Sequence, residues 1–364
     1  MLQNEGKDRI SALSNTLLSI ILSFMQTKET VRTCVLSKRW KYVWTKVPVF
    51  DFAPLDYAPS KSSFISFVYK ALAFNHAPEL KIFRLSSVDI FEDFHVQSWI
   101  WSIMRRGVVE VELCSFGIET KIAEGIFSSE KLRVLKLSGK FIFSVLNFKL
   151  PNLKILHLSG VILKDSLYDI NSVFPLLGEL VLYNWSGIKI LNIHSCSLRM
   201  LKIRNFVLHT GKVQDIVIEA PNLEYLFLSD NVSVYDIRGA RSLIEAKINV
   251  CKQSCAMREL LHQISGLRSL RLSIVTIHQS FENLYPHQLP VFHNLTNLEL
   301  ADGEVDGLLE SPPIFYTEML IIRSQGYQIL RLLWVRRTSE YGRIFLENCR
   351  KVEGAEDPHS SSRC

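Results

Sequence analysis

Several features are scarce in this 364-residue chain. No apolar run approaches the roughly 20 residues that a membrane helix needs, and the start, MLQNEGKDR, is charged where a secretory signal would be apolar. A soluble intracellular protein of the cytoplasm or nucleus, without a membrane partner, is therefore expected. The seven cysteines, Cys34, Cys114, Cys196, Cys251, Cys255, Cys349 and Cys364, are odd in number, and none stands in CxxC spacing. That excludes the usual structural zinc pattern and points to reduced thiols packed as small apolar residues. Forty-two Lys and Arg against 36 Asp and Glu leave a net charge of +6, without a basic run, too mild to imply a nucleic-acid partner.

Catalytic signatures are absent as well. There is no Gly-rich phosphate loop, no GxSxG elbow and no HExxH. The ten histidines lack ligand spacing, and His194 with Cys196, or Cys251 with Cys255, reads as an accident of strand or loop. No catalytic residue, metal or cofactor is expected, and a binding protein is favoured over an enzyme.

What the chain does have is hydrophobic content, 48%, arranged in two patterns. The first lies near the start. Residues 13–25, LSNTLLSIILSFM, set Leu17, Leu18, Ile21, Leu22 and Met25 at helical spacing. A second helix is expected from Thr27, as its cap, with Glu29 in the first turn, through Val31, Cys34, Val35, Trp40 and Trp44 until Pro48. Two such helices bury too little between themselves to be stable alone.

The string DRISALSNTLLSIILSFMQTKETVRTCVLSKRWKYVWTKVPVFDF resembles the F-box, particularly the plant form found ahead of leucine-rich repeats, and TKETVRTCVLSKRWKYVW is its most specific part. The resemblance implies a module at 7–50 that binds a Skp-type adaptor and through it a cullin. It assigns Leu13, Leu17, Leu18, Ile21, Leu22, Val31, Val35, Leu36, Trp40 and Trp44 to the family's apolar positions. The chain departs from the family at Leu13-Ser14-Asn15, where Leu-Pro-Asp or Leu-Pro-Glu is usual. Losing a Pro at the first helical position weakens a helix start, while Ser or Asn can cap it.

The second pattern, LxxLxL, recurs ten times, starting at Leu80, Val108, Leu132, Leu153, Leu177, Leu198, Leu223, Leu243, Leu267 and Leu295, with steps of 20 to 28 residues. That is the period of a leucine-rich repeat, so 80–313 is expected to be a solenoid with a curved parallel sheet, giving an α/β fold with a helical module in front. Pro151 and Pro221 open Pro-Asn-Leu turns before strands. SFISFVYKALAFN and VQSWIWSIMRR read as convex-side helices, and residues 51–79 hold a short Pro- and Ser-rich connector followed by the first of them. LPVFHNLTNLEL, within 289–313, resembles the start of an FBD segment; 314–364 departs from it and ends in a polar stretch expected to be disordered.

Outward strand positions offer a recognition surface. The middle outward residue of each unit gives Arg84, Glu112, Lys136, His157, Val181, Lys202, Phe227, Lys247, Arg271 and Glu299, a column that leans basic, with Tyr183, Arg204 and Tyr225 beside it. Arg84, Lys136, His157, Tyr183, Lys202, Arg204, Tyr225, Phe227, Lys247 and Arg271 are the candidate target-binding residues, suited to a partially acidic peptide. The function implied is a substrate receptor of an SCF-type cullin ubiquitin ligase with an unknown target protein. The alternatives are a receptor for a small anionic ligand, using Lys136, Lys202, Arg204, Lys247 and Arg271, and a scaffold without a ligase role.

Overall fold

In the computed structural model, the described residues are 9–53, 60–86, 91–115, 119–168, 170–205, 215–230, 234–250, 254–273, 276, 291–301, 321–324 and 327–331. The chain divides into two compact units, Met1–Leu198 and Arg199–Cys364.

The first unit opens with helices α1 (Asn15–Leu22) and α2 (Thr27–Arg32), followed by 3₁₀ turns at Thr33–Val35, Trp40–Tyr42 and Trp44–Lys46. Then come β1 (Val49–Phe52), α3 (Lys61–Phe74), β2 (Ile82–Leu85), α4 (Asp93–Arg105), β3 (Glu110–Cys114) and β4 (Thr120–Lys121). β5 (Val134–Ser138), β6 (Phe141–Phe143), β7 (Ile155–Ser159), β8 (Ile162–Leu163), α5 (Ile170–Val173), β9 (Glu179–Tyr183) and β10 (Ile190–His194) complete it. The main sheet is parallel in the order β1-β2-β3-β5-β7-β9, and β4, β6 and β8 form a small parallel sheet of their own.

Alternation builds that sheet. Phe83 and Leu85, Val111 and Leu113, Leu135 and Leu137, Leu156 and Leu158, Leu180 and Leu182 all point inward and are buried, each contributing roughly 1.5–3 kcal/mol. The two convex helices bring Phe64, Val68, Val96, Trp99, Ile100 and Ile103 against them. Later crossovers shorten to 3₁₀ turns at Glu124–Ile126 and Val145–Asn147 and to the four-residue α5, and tight corners need glycine there. Gly139 sits at φ +107°, where an added Cβ would stand 1.8 Å from the Ser115 carbonyl oxygen.

The second unit holds β11 (Met200–Asn205), β12 (Asp215–Glu219), β13 (Tyr225–Asp230), β14 (Val234–Arg238), β15 (Glu245–Val250), α6 (Ser254–Gln263), β16 (Ser269–Ser273), β17 (Val291–Phe292), β18 (Asn297–Ala301), β19 (Ile321–Ser324) and β20 (Tyr327–Arg331). β11, β13, β15, β16 and β18 run parallel and in register. β12 pairs with β14, while β17 joins the antiparallel pair β19 and β20. Leu201, Ile203, Leu226, Leu228, Ile248, Leu270, Leu272 and Leu298 form the inward rows.

All ten LxxLxL starts stand two residues before a strand of a main sheet. The Pro-Asn turns at 151–152 and 221–222 are present, as are both convex helices. The helical module differs from expectation. α1 is confined to Asn15–Leu22 and capped by Ser14, whose Oγ accepts from Leu17 N at 3.2 Å. α2 stops at Arg32, because Thr33 Oγ1 bonds back to Thr30 O and the chain turns so that Arg39 can donate to Asn15 Oδ1 at 2.8 Å and Ser11 O at 2.7 Å. Thr27 does not cap α2: it is buried, and its Oγ1 accepts from Asp51 N at 2.7 Å. Thr30 Oγ1 donates to Leu22 O at 3.1 Å, satisfying a carbonyl at the end of α1.

β1 was not anticipated. Residues Val49–Phe52, expected as the end of the helical module and the start of a connector, form an edge strand registered on β2 from Val49↔Ile82 to Phe52↔Leu85. Of the divergent segment 314–364, only 321–324 and 327–331 are among the described residues; the polar stretch that ends it lies outside them, as do Cys251, Cys349 and Cys364.

Candidate functional site

α1 is apolar on two stripes, and the structure separates them. Leu18 (0% exposed) and Leu22 (2%) pack inward with Val43, Val47 and Val49, against which Leu13, Trp40 and the β2 residue Ile82 are partly buried. Leu18 and Leu22 were grouped with the partner-facing residues on sequence; they lie inside the module because that stripe meets the chain's own sheet end. The other stripe, Leu17, Ile20, Ile21 and Phe24, stands at i, i+3, i+4 and i+7, about half exposed at the first three and 86% exposed at Phe24. Val35 and Leu36 on the following turn are also exposed, Val35 by 82%, and Met25 extends the patch. Val31 and Trp44 are partly buried. Ile20 and Phe24 were missing from the sequence-derived set, although the four-residue stripe at 17, 20, 21 and 24 was visible in the sequence.

So many leucine, isoleucine, phenylalanine and valine side chains left in water within one short module are unusual, and exposed apolar surface of this kind makes the stripe a candidate interaction site. Arg39, half-buried, ties the start of α1 to the later part of the module by donating to Asn15 Oδ1 and to the Ser11 and Leu13 carbonyls.

The second candidate surface is the outward strand rows. In the first unit the register sets Asp51, Arg84, Glu112, Lys136, His157 and Val181 side by side. Arg84 lies 3.3 Å from Glu112, 3.8 Å from Glu110 and 3.9 Å from Asp51. Lys136 reaches Glu110 at 3.1 Å and Glu112 at 3.7 Å, and His157 Nε2 lies 3.0 Å from Glu179. Burial lifts the Asp51 carboxyl above the usual carboxylate range, against the pull of Arg84 and with a smaller upward push from Glu112. The column that leaned basic is therefore a ladder of opposite charges here, because carboxylates one row away were not counted. Tyr183, half-buried, closes the row Ser138–Ser159–Tyr183.

In the second unit the same column reads Lys202, Phe227, Lys247, Arg271 and Glu299. Tyr225, two residues before Phe227, has the Lys202 ammonium 5.9 Å and the Lys247 ammonium 5.6 Å from its ring centre. Burial raises the Tyr225 phenol above its ordinary range, with Lys247 opposing. Lys247 also meets Glu245 at 3.3 Å, and Arg271 meets Glu299 at 3.8 Å. Arg204 is half-buried, next to Ser229 in register.

Among the described residues, no group of three or more His, Cys, Asp or Glu is placed to hold a metal ion, and no helix is long and apolar enough to cross a membrane. His194 instead stacks edge-on with Tyr168 at 5.7 Å, and the Cys196 amide donates to Asn171.

The F-box domain family matches residues 10–52, so the match ends on the last residue of β1. Residues 96–250 match the family described as FBD-associated F-box protein At5g56370, LRR repeats. The F-box/LRR-repeat protein At3g59210 of Arabidopsis thaliana is 30% identical over 354 residues, covering 85% of this chain and 72% of that protein. The chain belongs to the F-box/LRR-repeat family. The FBD-associated F-box protein At5g56370 (28% identical, 81% of this chain and 69% of the relative) and the F-box/FBD/LRR-repeat protein At2g26030 (28%, 81% and 73%), both from Arabidopsis thaliana, are similar along most of their length. In F-box terms, α1, α2, the 3₁₀ turns and β1 are the N-terminal module, and the main-sheet strands are the repeats.

Proposed function

We propose that this chain is the substrate receptor of an SCF-type cullin ubiquitin ligase, working in the cytoplasm or nucleus. Its F-box seats on a Skp-type adaptor, its repeats hold a target protein, and other subunits carry out ubiquitin transfer. The observation that supports this most is the exposed stripe Leu17, Ile20, Ile21 and Phe24 with Val35 and Leu36, apolar side chains on the matched F-box residues that the other described residues leave uncovered.

The test is size-exclusion chromatography of the full chain mixed with a Skp-type adaptor at micromolar concentration. Co-elution is expected. Ile21→Glu removes it while changing the unfolding free energy by no more than an ordinary surface substitution does, about 0.5 kcal/mol. Leu18→Ala, which empties a buried site, instead costs stability by roughly 2–5 kcal/mol. If the wild-type chain elutes alone, the ligase reading fails and a scaffold role replaces it.

A further inference from the structure

We propose that the outward rows of the second unit, centred on Tyr225 between Lys202 and Lys247, bind a peptide segment that carries spaced carboxylates and an aromatic or aliphatic side chain. This rests on the receptor reading above and names the chemistry of its target.

The two units present different charge on these rows. In the first, Asp51, Glu110, Glu112 and Glu179 outnumber Arg84 and Lys136, four against two, or −2 with His157 neutral. The cations there are already engaged at 3.1 to 3.9 Å. In the second, Lys202, Arg204, Lys247 and Arg271 outnumber Glu245 and Glu299, four against two, or +2. An acidic partner is repelled by the first set and drawn to the second.

Shape agrees with charge. Tyr225 and Phe227 project from the same side of β13, two residues apart and so about 7 Å apart along the strand, and both are half-buried. Phe227 lies in register between Lys202 and Lys247, so two aromatic faces are framed by ammonium groups on neighbouring strands. Aromatic rings supply contact area at low entropy cost, while lysines extended over a ring keep their charge in water. The pairs Lys247–Glu245 and Arg271–Glu299 are roughly one-third exposed and weak, so incoming carboxylates can compete for the same cations. Glu245 and Glu299 standing among the cations disfavour a compact polyanion and suit carboxylates spaced along an extended chain.

The test is fluorescence anisotropy of the full chain with a labelled synthetic peptide of alternating Glu and Phe, and with a Lys and Phe peptide of the same length as control. The Glu peptide is expected to bind, with affinity falling as salt rises. Lys202→Glu and Lys247→Glu should each weaken it about tenfold, equivalent to about 1.4 kcal/mol. Lys149→Glu, the same charge change at an exposed position of the first unit, should leave it unaltered. Equal loss in all three variants, equal binding of the Lys peptide, or tighter binding of inositol hexakisphosphate than of the Glu peptide would overturn the proposal. Adaptor co-elution is measured on the same preparations. No peptide binding with co-elution intact sinks this inference alone, whereas loss of co-elution in the wild-type chain sinks the receptor reading beneath it.

Discussion

Arg84 on β2 donates from Nε to Glu112 Oε2 on the neighbouring strand β3 at 3.3 Å, and the same guanidinium faces Asp51 on β1 and Glu110 on β3. One cation thus balances three carboxylates from two neighbouring strands. Single exposed pairs contribute little, yet removing the shared cation leaves the acids facing each other.

Arg84→Ala is accordingly expected to destabilise the fold by roughly 0.5–1 kcal/mol at low ionic strength. The loss should shrink in molar salt, where the screening length falls to about 3 Å. Urea denaturation at both salt concentrations measures it, and a loss that stays constant would mean that packing of the arginine stem, not charge, is responsible.

Asp51 gives a pH signature. Its carboxyl is raised above the usual value of 3.8 by burial, so the folded state holds the proton more tightly than the unfolded chain does. The stability contribution is complete below the unfolded value and is lost as pH rises through the elevated folded value. Asp51→Asn removes that loss, so the stability of the variant relative to wild type should grow as pH rises from about 4 and then level off. Denaturation midpoints measured across the acid range check the sign. A gap that narrows with rising pH would show that pairing with Arg84 outweighs burial.

Two glycines at positive φ separate backbone strain from steric conflict. Gly239 (φ +68°) has open space where a Cβ would go, whereas at Gly139 (φ +107°) the Ser115 carbonyl oxygen stands 1.8 Å away. Gly239→Ala should cost about 1–2 kcal/mol, the price of a left-handed alanine. Gly139→Ala should cost several times more, or prevent folding, because backbone must shift. Similar melting temperatures for the two variants would contradict this.

The repeat strands were legible because an inward row of a parallel sheet tolerates little besides Leu, Ile and Val, so LxxLxL marks them directly. Each of Leu80 to Leu295 stood two residues ahead of its strand. β1 was hidden, since VFDF follows Pro48 and lacks the motif; what makes it a strand is the neighbouring edge of β2 and the Thr27 hydroxyl on the Asp51 amide. The stripe on α1 was visible, but not which half of it turns inward, because that depends on where Ile82 stands. The charge of the outward rows was misjudged for a related reason. Arg84 and Lys136 were read one per repeat with Glu112 between them, whereas both also meet Glu110 in the next outward row, a proximity that exists only once strand register is fixed.

The edge strand β1 has a mechanical implication. A module that contributes a hydrogen-bonded strand to the sheet beside it, and is buttressed from within by Val49 and Ile82, has no swivel at that joint. Whatever grips the helices therefore also takes hold of β1 and of the strands registered on it, β2 and β3, so a pull on the module is felt directly by the sheet's backbone hydrogen bonds.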